Sequence, residues 1–381
     1  MVPKEYYGRL FTKEQLPVNY HPEALTLEGM IKVDKQLRCK RCYSWIEEDW
    51  QLPGGQYYCR ACIVFGRNQE GKELYYFPSK TSEIEFPVLK WFGELTPYQA
   101  KVSEKLLRTY QKQKDSLVHA VTGAGKTEMI YNIVAYVLEN KGHVAIASPR
   151  VDVCRELFLR MKRDFTCSIS LLHAESEPYD GSPLVIATTH QLLKFYQSFD
   201  LVIVDEVDAY PFVGNVMLNH AVEQAKTETG RFIYLTATST LSLEEQVRLG
   251  TLEKHHLARR FHGNPLVLPK LFWQGRLQKS LTRGKLPRPL LYQIKKQRKS
   301  KFPLLIFFPN IAIGEKFTSI LQKYLPDEKM AFVSSKSEKR STIVEKFRKK
   351  ELSILVTTTI LERGVTFPQV DVFVCMANHH L

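Results

Sequence analysis

The sequence predicts an α/β protein: two consecutive parallel-sheet units, preceded by a small four-cysteine module. Three observations carry that class. Short apolar runs without polar alternation recur from about residue 95 to the end, which is how strands buried on both faces of a parallel sheet read. Between them lie stretches with helical spacing, such as TEMIYNIVAYVLENKG, that end at a glycine. Near the N-terminus stand two Cys-x2-Cys pairs with sixteen residues between them.

Taken in order, residues 1–94 hold the cysteine module and many aromatics. Cys39 and Cys42 form the first pair, Cys59 and Cys62 the second, and the PGG at 53–55 supplies a turn between them. Each pair can turn both sulfurs toward one ion. Four thiolates leave no open position, so the expected Zn²⁺ is structural rather than catalytic. Such a module either contacts nucleic acid or braces a domain, and spacing does not choose between the two. Cys154, Cys167 and Cys375 lack partners of this kind and read as core.

Residues 95–262 form the second block, with strands expected at SLVHAV, HVAIAS, PLVIAT, DLVIVD and RFIYLT. Residues 263–381 repeat the pattern with PLLIFF, KMAFVS, LSILVT and VDVFVCM. There is no fixed-period repeat and no long low-complexity segment. The 276–301 stretch carries ten Lys or Arg and no acid, and Gly284, Pro287 and Pro289 argue against one continuous helix there.

Composition narrows the class of partner. At 44% hydrophobic and 25% charged the 381-residue chain is globular, not disordered or collagenous. Lys plus Arg number 54 against 40 Asp plus Glu, a formal charge of +14 that suits a polyanion, nucleic acid or an acidic membrane surface. No run approaches the ~18 apolar residues of a membrane span, and the first fifteen residues lack a signal-peptide core. The expectation is a cytoplasmic protein whose seven cysteines act as thiolates rather than disulfides.

The chemistry gathers in the second block. SLVHAV runs into a phosphate-binding loop, Ala120, Val121, Thr122, Gly123, Ala124, Gly125, Lys126 and Thr127, with alanine in place of the first glycine. Its backbone N–H groups suit the phosphates of ATP, Lys126 the β- and γ-phosphates, and the Thr127 hydroxyl Mg²⁺. Downstream, DLVIV ends in Asp205-Glu206-Val207-Asp208. At the end of a parallel strand, Asp205 is placed to hold Mg²⁺ through water and Glu206 to deprotonate the attacking water.

The order of motifs resembles that of superfamily 2 helicases and translocases. LTPYQ, ending at Gln99, is similar to the glutamine motif that reads adenine; Ser148, Pro149 and Arg150 to motif Ia; Thr188, Thr189 and His190 to motif Ic. The tetrad at 205–208 is a DEVD form of the DEAD/DEAH box, Thr236-Ala237-Thr238 resembles motif III, and TTTILERGVTFP, 357–368, resembles motif V. With the N-terminal four-cysteine module, AVTGAGKTEM and DEVDAYPF, the chain is most similar to the ComFA family of late competence proteins.

That resemblance implies two RecA-like units. It implies coupling through Asp208, Thr236 and Thr238, and backbone contacts to single-stranded DNA through Pro149, Arg150, Thr188, Thr189, Thr358 and Gly364. It further implies ATP-driven DNA uptake in natural transformation, with the competence DNA channel and other late-competence proteins as partners at the inner membrane face. The basic 276–301 stretch fits a track for the strand or a solvated linker face. Two other functions compete: a primosomal-type replication-restart helicase, disfavoured because that family's cysteines follow the motor core, and a nucleotide-responsive DNA-binding module without productive hydrolysis. No Gln-x-x-Gly-Arg-x-Gly-Arg motif VI occurs, so the second unit is expected to be truncated and turnover slow.

Overall fold

The computed structural model describes residues 2–81, 84–261, 268–275, 277–358, 367 and 369–376. They fall into two compact units, Met1–Leu266 and Val267–Leu381. No helix among the described residues is long and apolar enough to cross a membrane.

The first unit opens with β1 (Leu10–Thr12), β2 (Leu25–Glu28), β3 (Met30–Val33), β4 (Gln36–Cys39) and β5 (Glu73–Tyr76). Strands β1, β5 and β2 form an antiparallel sheet in that order, and β3 pairs with β4. The β3–β4 turn holds Asp34 and Lys35 both at positive φ, 48° and 70°, the two-residue geometry whose twist matches a hairpin. That hairpin delivers Cys39 at the end of β4.

There follow α1 (Pro97–Gln111), β6 (Asp115–Ala120), α2 (Lys126–Met129), α3 (Tyr131–Glu139), β7 (Val144–Ser148), α4 (Val151–Asp164), β8 (Ile169–Leu172), β9 (Leu184–Thr188) and β10 (Phe199–Asp205). The unit ends with α5 (Val216–Ala225), β11 (Lys226–Thr236), α6 (Leu241–Arg248) and β12 (Leu252–Leu257). Seven strands make one wholly parallel sheet, ordered β12-β6-β11-β10-β7-β9-β8. Every residue of β7 and β9 is buried, as continuous apolar runs require.

Alternate residues of each strand feed two cores. Val118, Val144, Ile146, Leu201 and Ile203 face α1, α3 and α4. Leu117, Ala145, Ala147, Val202 and Val204 face α5 and, in the same cluster, Met30, Ile46 and the four module cysteines. The cysteine module is therefore built into the first unit's core on one face of its sheet.

All five strands expected in this block form. Two more were not expected, β8 and β12, and both are sheet edges. Strand β12, LEKHHL, carries Lys254, His255 and His256, so no apolar run marks it. The helical stretch after the phosphate loop divides at Ile130 into α2 and α3, and the left-handed residue beyond it is Lys141 (φ 60°) rather than the expected glycine.

The second unit contains α7 (Leu277–Thr282), α8 (Arg288–Arg298), β13 (Leu304–Phe307), α9 (Ile311–Tyr324), β14 (Met330–Val333), α10 (Arg340–Arg348), β15 (Ile354–Thr357) and β16 (Asp371–Val374). Its parallel sheet runs β14-β15-β13-β16, over a core that includes Phe308 and Phe317. The basic stretch does break as expected. Gly284, at φ +69°, sits between α7 and α8, and Pro287 caps α8.

Candidate active site and metal centre

Strand register levels the chemistry along one sheet edge. Leu257 pairs with Ala120 at the start of the phosphate loop, Thr236 with His119, Leu235 with Asp205, and Ser148 with Thr188. The loop, the DEVD tetrad and the Thr236–Thr238 segment leave three adjacent strands, β6, β10 and β11, at their carboxyl ends, where open α/β sheets hold their ligands.

Within the loop, Gly123 and Gly125 take φ of +78° and +72°, which side chains resist. A Cβ on Gly125 would also collide with the Gln99 amide. Val121 N–H donates to Leu257 O (3.2 Å) and Ala124 N–H to Val121 O (3.1 Å), while Thr122 and Gly123 are exposed. Lys126 and Thr127 begin α2, and Lys126 Nζ reaches back to Ala120 O at 3.4 Å. The loop has the left-handed turns, the exposed backbone and the cation that a bound phosphate chain requires.

Gln99, the residue expected to read adenine, is tied into the protein at both ends of its amide. Its Oε1 accepts from Thr96 N–H and Thr96 Oγ1, each at 2.9 Å, closing the capping box of α1. Its Nε2 donates to Ala124 O at 2.9 Å. Both ends of the amide are engaged, and the residue is 5% exposed. Gln99 thus ties α1 to the phosphate loop.

At the DEVD tetrad, Glu206 N–H donates to Asp205 Oδ1 (2.9 Å), and Glu206 takes φ +54°. A left-handed glutamate just past a strand is uncommon, and such backbone strain concentrates at functional sites. Thr236 is fully buried; its hydroxyl lies 2.7 Å from Asp208 Oδ1 and 2.8 Å from Thr238 O, and it accepts from Thr238 N–H at 2.9 Å. Asp208, Thr236 and Thr238, the residues expected to couple the site, therefore form one hydrogen-bonded knot.

The expected DNA contacts divide. Pro149 and Arg150 follow β7 and are partly exposed. Thr188 is 7% exposed and Thr189 fully buried, so the Thr189 side chain does not face a strand lying outside the protein. Its place at the start of a short 3₁₀ turn, Thr189–Lys194, turns it toward the core. Thr358, just past β15, is 9% exposed, and Gly364 lies outside the described residues.

The four cysteines meet in a buried cluster, with all sulfurs within 4.8 Å of one another. Cys39 and Cys62 Sγ are 3.7 Å apart, Cys42 and Cys59 Sγ 3.5 Å. Zinc at ~2.3 Å from four tetrahedral sulfurs sets them about 3.8 Å apart, so the donor set fits the ion. Asn68 Nδ2, which no motif marks, donates to Cys39 Sγ at 3.2 Å and to Gly29 O at 2.6 Å, the outer support that metal-binding thiolates receive. The module meets α5, the helix that follows the DEVD loop, through His220, whose ring stacks on Tyr43 (4.7 Å, 13°) and hydrogen-bonds Lys40 O at 3.0 Å.

Comparison with known proteins agrees with this geometry. A family model described as DEAD/DEAH box helicase matches residues 96–246, and one described as helicase conserved C-terminal domain matches 286–379. Competence protein ComFA of Streptococcus pneumoniae (strain ATCC BAA-255 / R6) is 55% identical over 380 residues, spanning 99% of this chain and 87% of the relative. The Bacillus subtilis (strain 168) protein of that name is 34% identical over 372 residues, 95% and 79% of the two chains. Among solved structures, Mycobacterium smegmatis helicase Lhr bound to ssDNA and AMP-PNP aligns with a TM-score of 0.53 at 18% identity, over 74% of this chain and 42% of that one, a likeness of fold alone. With its phosphate loop, DEVD tetrad and cysteine cluster in these positions, the chain belongs to the ComFA family of competence proteins, among the DEAD/DEAH-type helicases.

Proposed function

We propose that this chain is an ATP-driven motor on single-stranded DNA, serving DNA uptake in natural competence. The observation that carries the reading is the common edge of β6, β10 and β11, where Lys126, Asp205, Glu206 and Thr236 leave neighbouring strands. Lys126 and the loop amides bind the phosphate chain. Thr127 and Asp205 would hold Mg²⁺, which neutralises charge on the transferring phosphoryl group when bound. Glu206 orients the attacking water and takes its proton. The Asp208–Thr236–Thr238 knot carries the state of that site toward α6.

Residues 95–262 and 263–381 are the two motor domains in this reading. Pro149, Arg150 and Thr188 grip the sugar–phosphate backbone, so binding is largely independent of sequence. The first 94 residues hold one structural Zn²⁺ on Cys39, Cys42, Cys59 and Cys62. The partners are the competence DNA channel and its companions, with the protein on the cytoplasmic membrane face.

ATP turnover by residues 1–381, with and without single-stranded DNA, tests the reading. Single strands should raise turnover several-fold and duplex much less. Lys126→Ala should lose both ATP binding and hydrolysis. Glu206→Gln should keep ATP binding and lose turnover by ~10²-fold or more, the usual worth of a general base. Equal loss of ATP binding in both variants would overturn the role assignment, and equal stimulation by duplex would overturn the strand preference.

A further inference from the structure

The segment that follows β12 carries Arg259, Arg260 and Phe261, which no motif includes, and it lies against the phosphate loop. Phe261 N–H donates to Gly123 O at 3.1 Å, so the segment is fastened to the loop at its most exposed glycine. Arg260 runs beside the same residue: a Cβ on Gly123 would lie 3.6 Å from Arg260 Nε and 3.7 Å from its Cγ. Arg260 Nε is buried, and no acceptor reaches it among the described residues. A buried donor on a permanently charged guanidinium calls for an acceptor, and the group this loop is shaped to hold is a chain of phosphate oxygens.

Beside the loop lies a cavity of about 220 Å³, lined by Thr96, Pro97, Tyr98 and Gln99 at the start of α1 and by Leu257, Arg259, Arg260 and Phe261 across from them, so that Arg260 borders both the cavity and Gly123. Pockets for drug-sized ligands run ~300–1,000 Å³, so this one suits part of a nucleotide, a base, rather than the whole. The Arg259 guanidinium stands over the Tyr98 ring, 5.0 Å from its centroid. Gln99 has both ends of its amide engaged with Thr96 and Ala124. What the cavity presents to a base is therefore chiefly planar faces, the Tyr98 phenol, the Phe261 ring and the Arg259 guanidinium, beside the one Gln99 Nε2 proton that Ala124 O does not take.

We propose that Arg259 and Arg260 complete the nucleotide site from within the first unit. Arg259, with Tyr98, holds the base by stacking, and Arg260 gives its guanidinium to the phosphates beside Gly123. The proposal rests on the reading of this loop as an ATP site and adds to it the residues that grip each end of the nucleotide. Recognition by stacked planes separates purines poorly. A site that read adenine by hydrogen bonds would reject guanine by several orders of magnitude.

Equilibrium binding to residues 1–381 tests this, with ATP, GTP and inorganic tripolyphosphate as probes, and with zinc content and single-stranded DNA affinity reporting that each variant is folded. Arg259→Ala should weaken ATP about tenfold and leave tripolyphosphate within about twofold of wild type. Arg260→Ala should weaken both ATP and tripolyphosphate about tenfold, with Arg260→Lys recovering part of the loss. GTP should bind wild type within about tenfold of ATP. ATP affinity unchanged in either alanine variant, equal loss of tripolyphosphate in Arg259→Ala, or strong rejection of GTP would overturn the assignment. Lys126→Ala separates the two levels. If it loses ATP while the arginine variants do not, only this inference falls; if it binds ATP as wild type does, the site itself is misread.

Discussion

Thr236 gathers the hydrogen bonds of the proposed coupling residues on one hydroxyl. Its single proton lies between Asp208 Oδ1 and Thr238 O, and its oxygen accepts from Thr238 N–H, all in a fully buried position. Thr236→Val keeps the shape and removes all of these bonds, an effect worth ~1–3 kcal/mol when buried partners lose a hydrogen bond. ATP affinity should stay within about twofold, since Lys126 and the loop are untouched, while stimulation by single-stranded DNA falls several-fold. Unchanged stimulation in a turnover assay would show that the knot carries no signal. His255 gives a second residue-scale expectation. It is 3% exposed beside Thr109, and burial lowers its pKa below the ordinary 6.5. Below that ordinary value the unfolded chain takes up a proton that the native site resists. Stability is therefore flat above about pH 6.5 and falls as pH drops from there toward the lowered native value. Denaturant unfolding at pH 7.5 and 5.5 should show a smaller pH penalty in His255→Gln than in wild type; an equal penalty would place the effect elsewhere. The identity of the loop residues was legible in the sequence, because a phosphate loop is a local code. The engagement of Gln99 was not, since it depends on Ala124 being folded against α1.

Helix α8 shows that a basic run is not one thing. Lys295, Lys296 and Lys299 are exposed, whereas Arg298 donates to Glu328 at 2.8 Å and to Phe302 O at 2.6 Å with only 12% of its side chain exposed. The lysines are available to a phosphate backbone, and Arg298 holds the helix to its own unit. Replacing the three lysines by alanine should flatten the slope of log affinity against log salt by up to about three phosphate equivalents, with stability little changed. Arg298→Ala should instead destabilise the second unit by ~2 kcal/mol, the worth of a charged hydrogen-bonded pair. Salt titrations and denaturant melts distinguish them: an unchanged slope in the triple variant would make the lysines a solvated face, and an unchanged melt in Arg298→Ala would make its ion pair decorative. Sequence shows the charge and the breaks at Gly284 and Pro287. It does not show Glu328, thirty residues on, drawing one arginine out of the row.

At the scale of the molecule, each unit has its own hydrophobic cores, and the cysteine module belongs to the core of the first. Calorimetry should therefore resolve two transitions. Chelation, or Cys39→Ser with Cys59→Ser, should lower the transition of the first unit and leave that of the second in place, because metal held only by the native state adds its binding energy to folding. Metal analysis should find about one zinc per chain, as a four-thiolate site binds one ion. Two shifted transitions, or no zinc, would overturn this division. Because the module reaches α5 through His220 and shares the core under β10, loss of zinc should also slow ATP turnover, whereas a free-standing module would leave it unchanged.

The sequence by itself determined the class of fold, the strands of both sheets' interiors, the phosphate loop, the DEVD tetrad and the four cysteines of the buried cluster. Each of these is written within a few residues: apolar runs for strands buried on both faces, glycines where the backbone turns left-handed, cysteines separated by two residues at a knuckle. Tertiary structure alone decided where those pieces stand and which side chains remain available. Strand β12 is polar, so only its pairing with β6 reveals it, and through it the segment at 259–261 that closes on Gly123. The module's seat on the seven-stranded sheet comes from contacts such as Lys40 with His220, 180 residues apart. The burial of Thr189 follows from the turn after β9. Local codes depend on backbone conformation and survive being read one segment at a time. Burial, hydrogen-bond commitment and the facing of charges are properties of surfaces brought together by folding, and they have no spacing in the chain from which to be read.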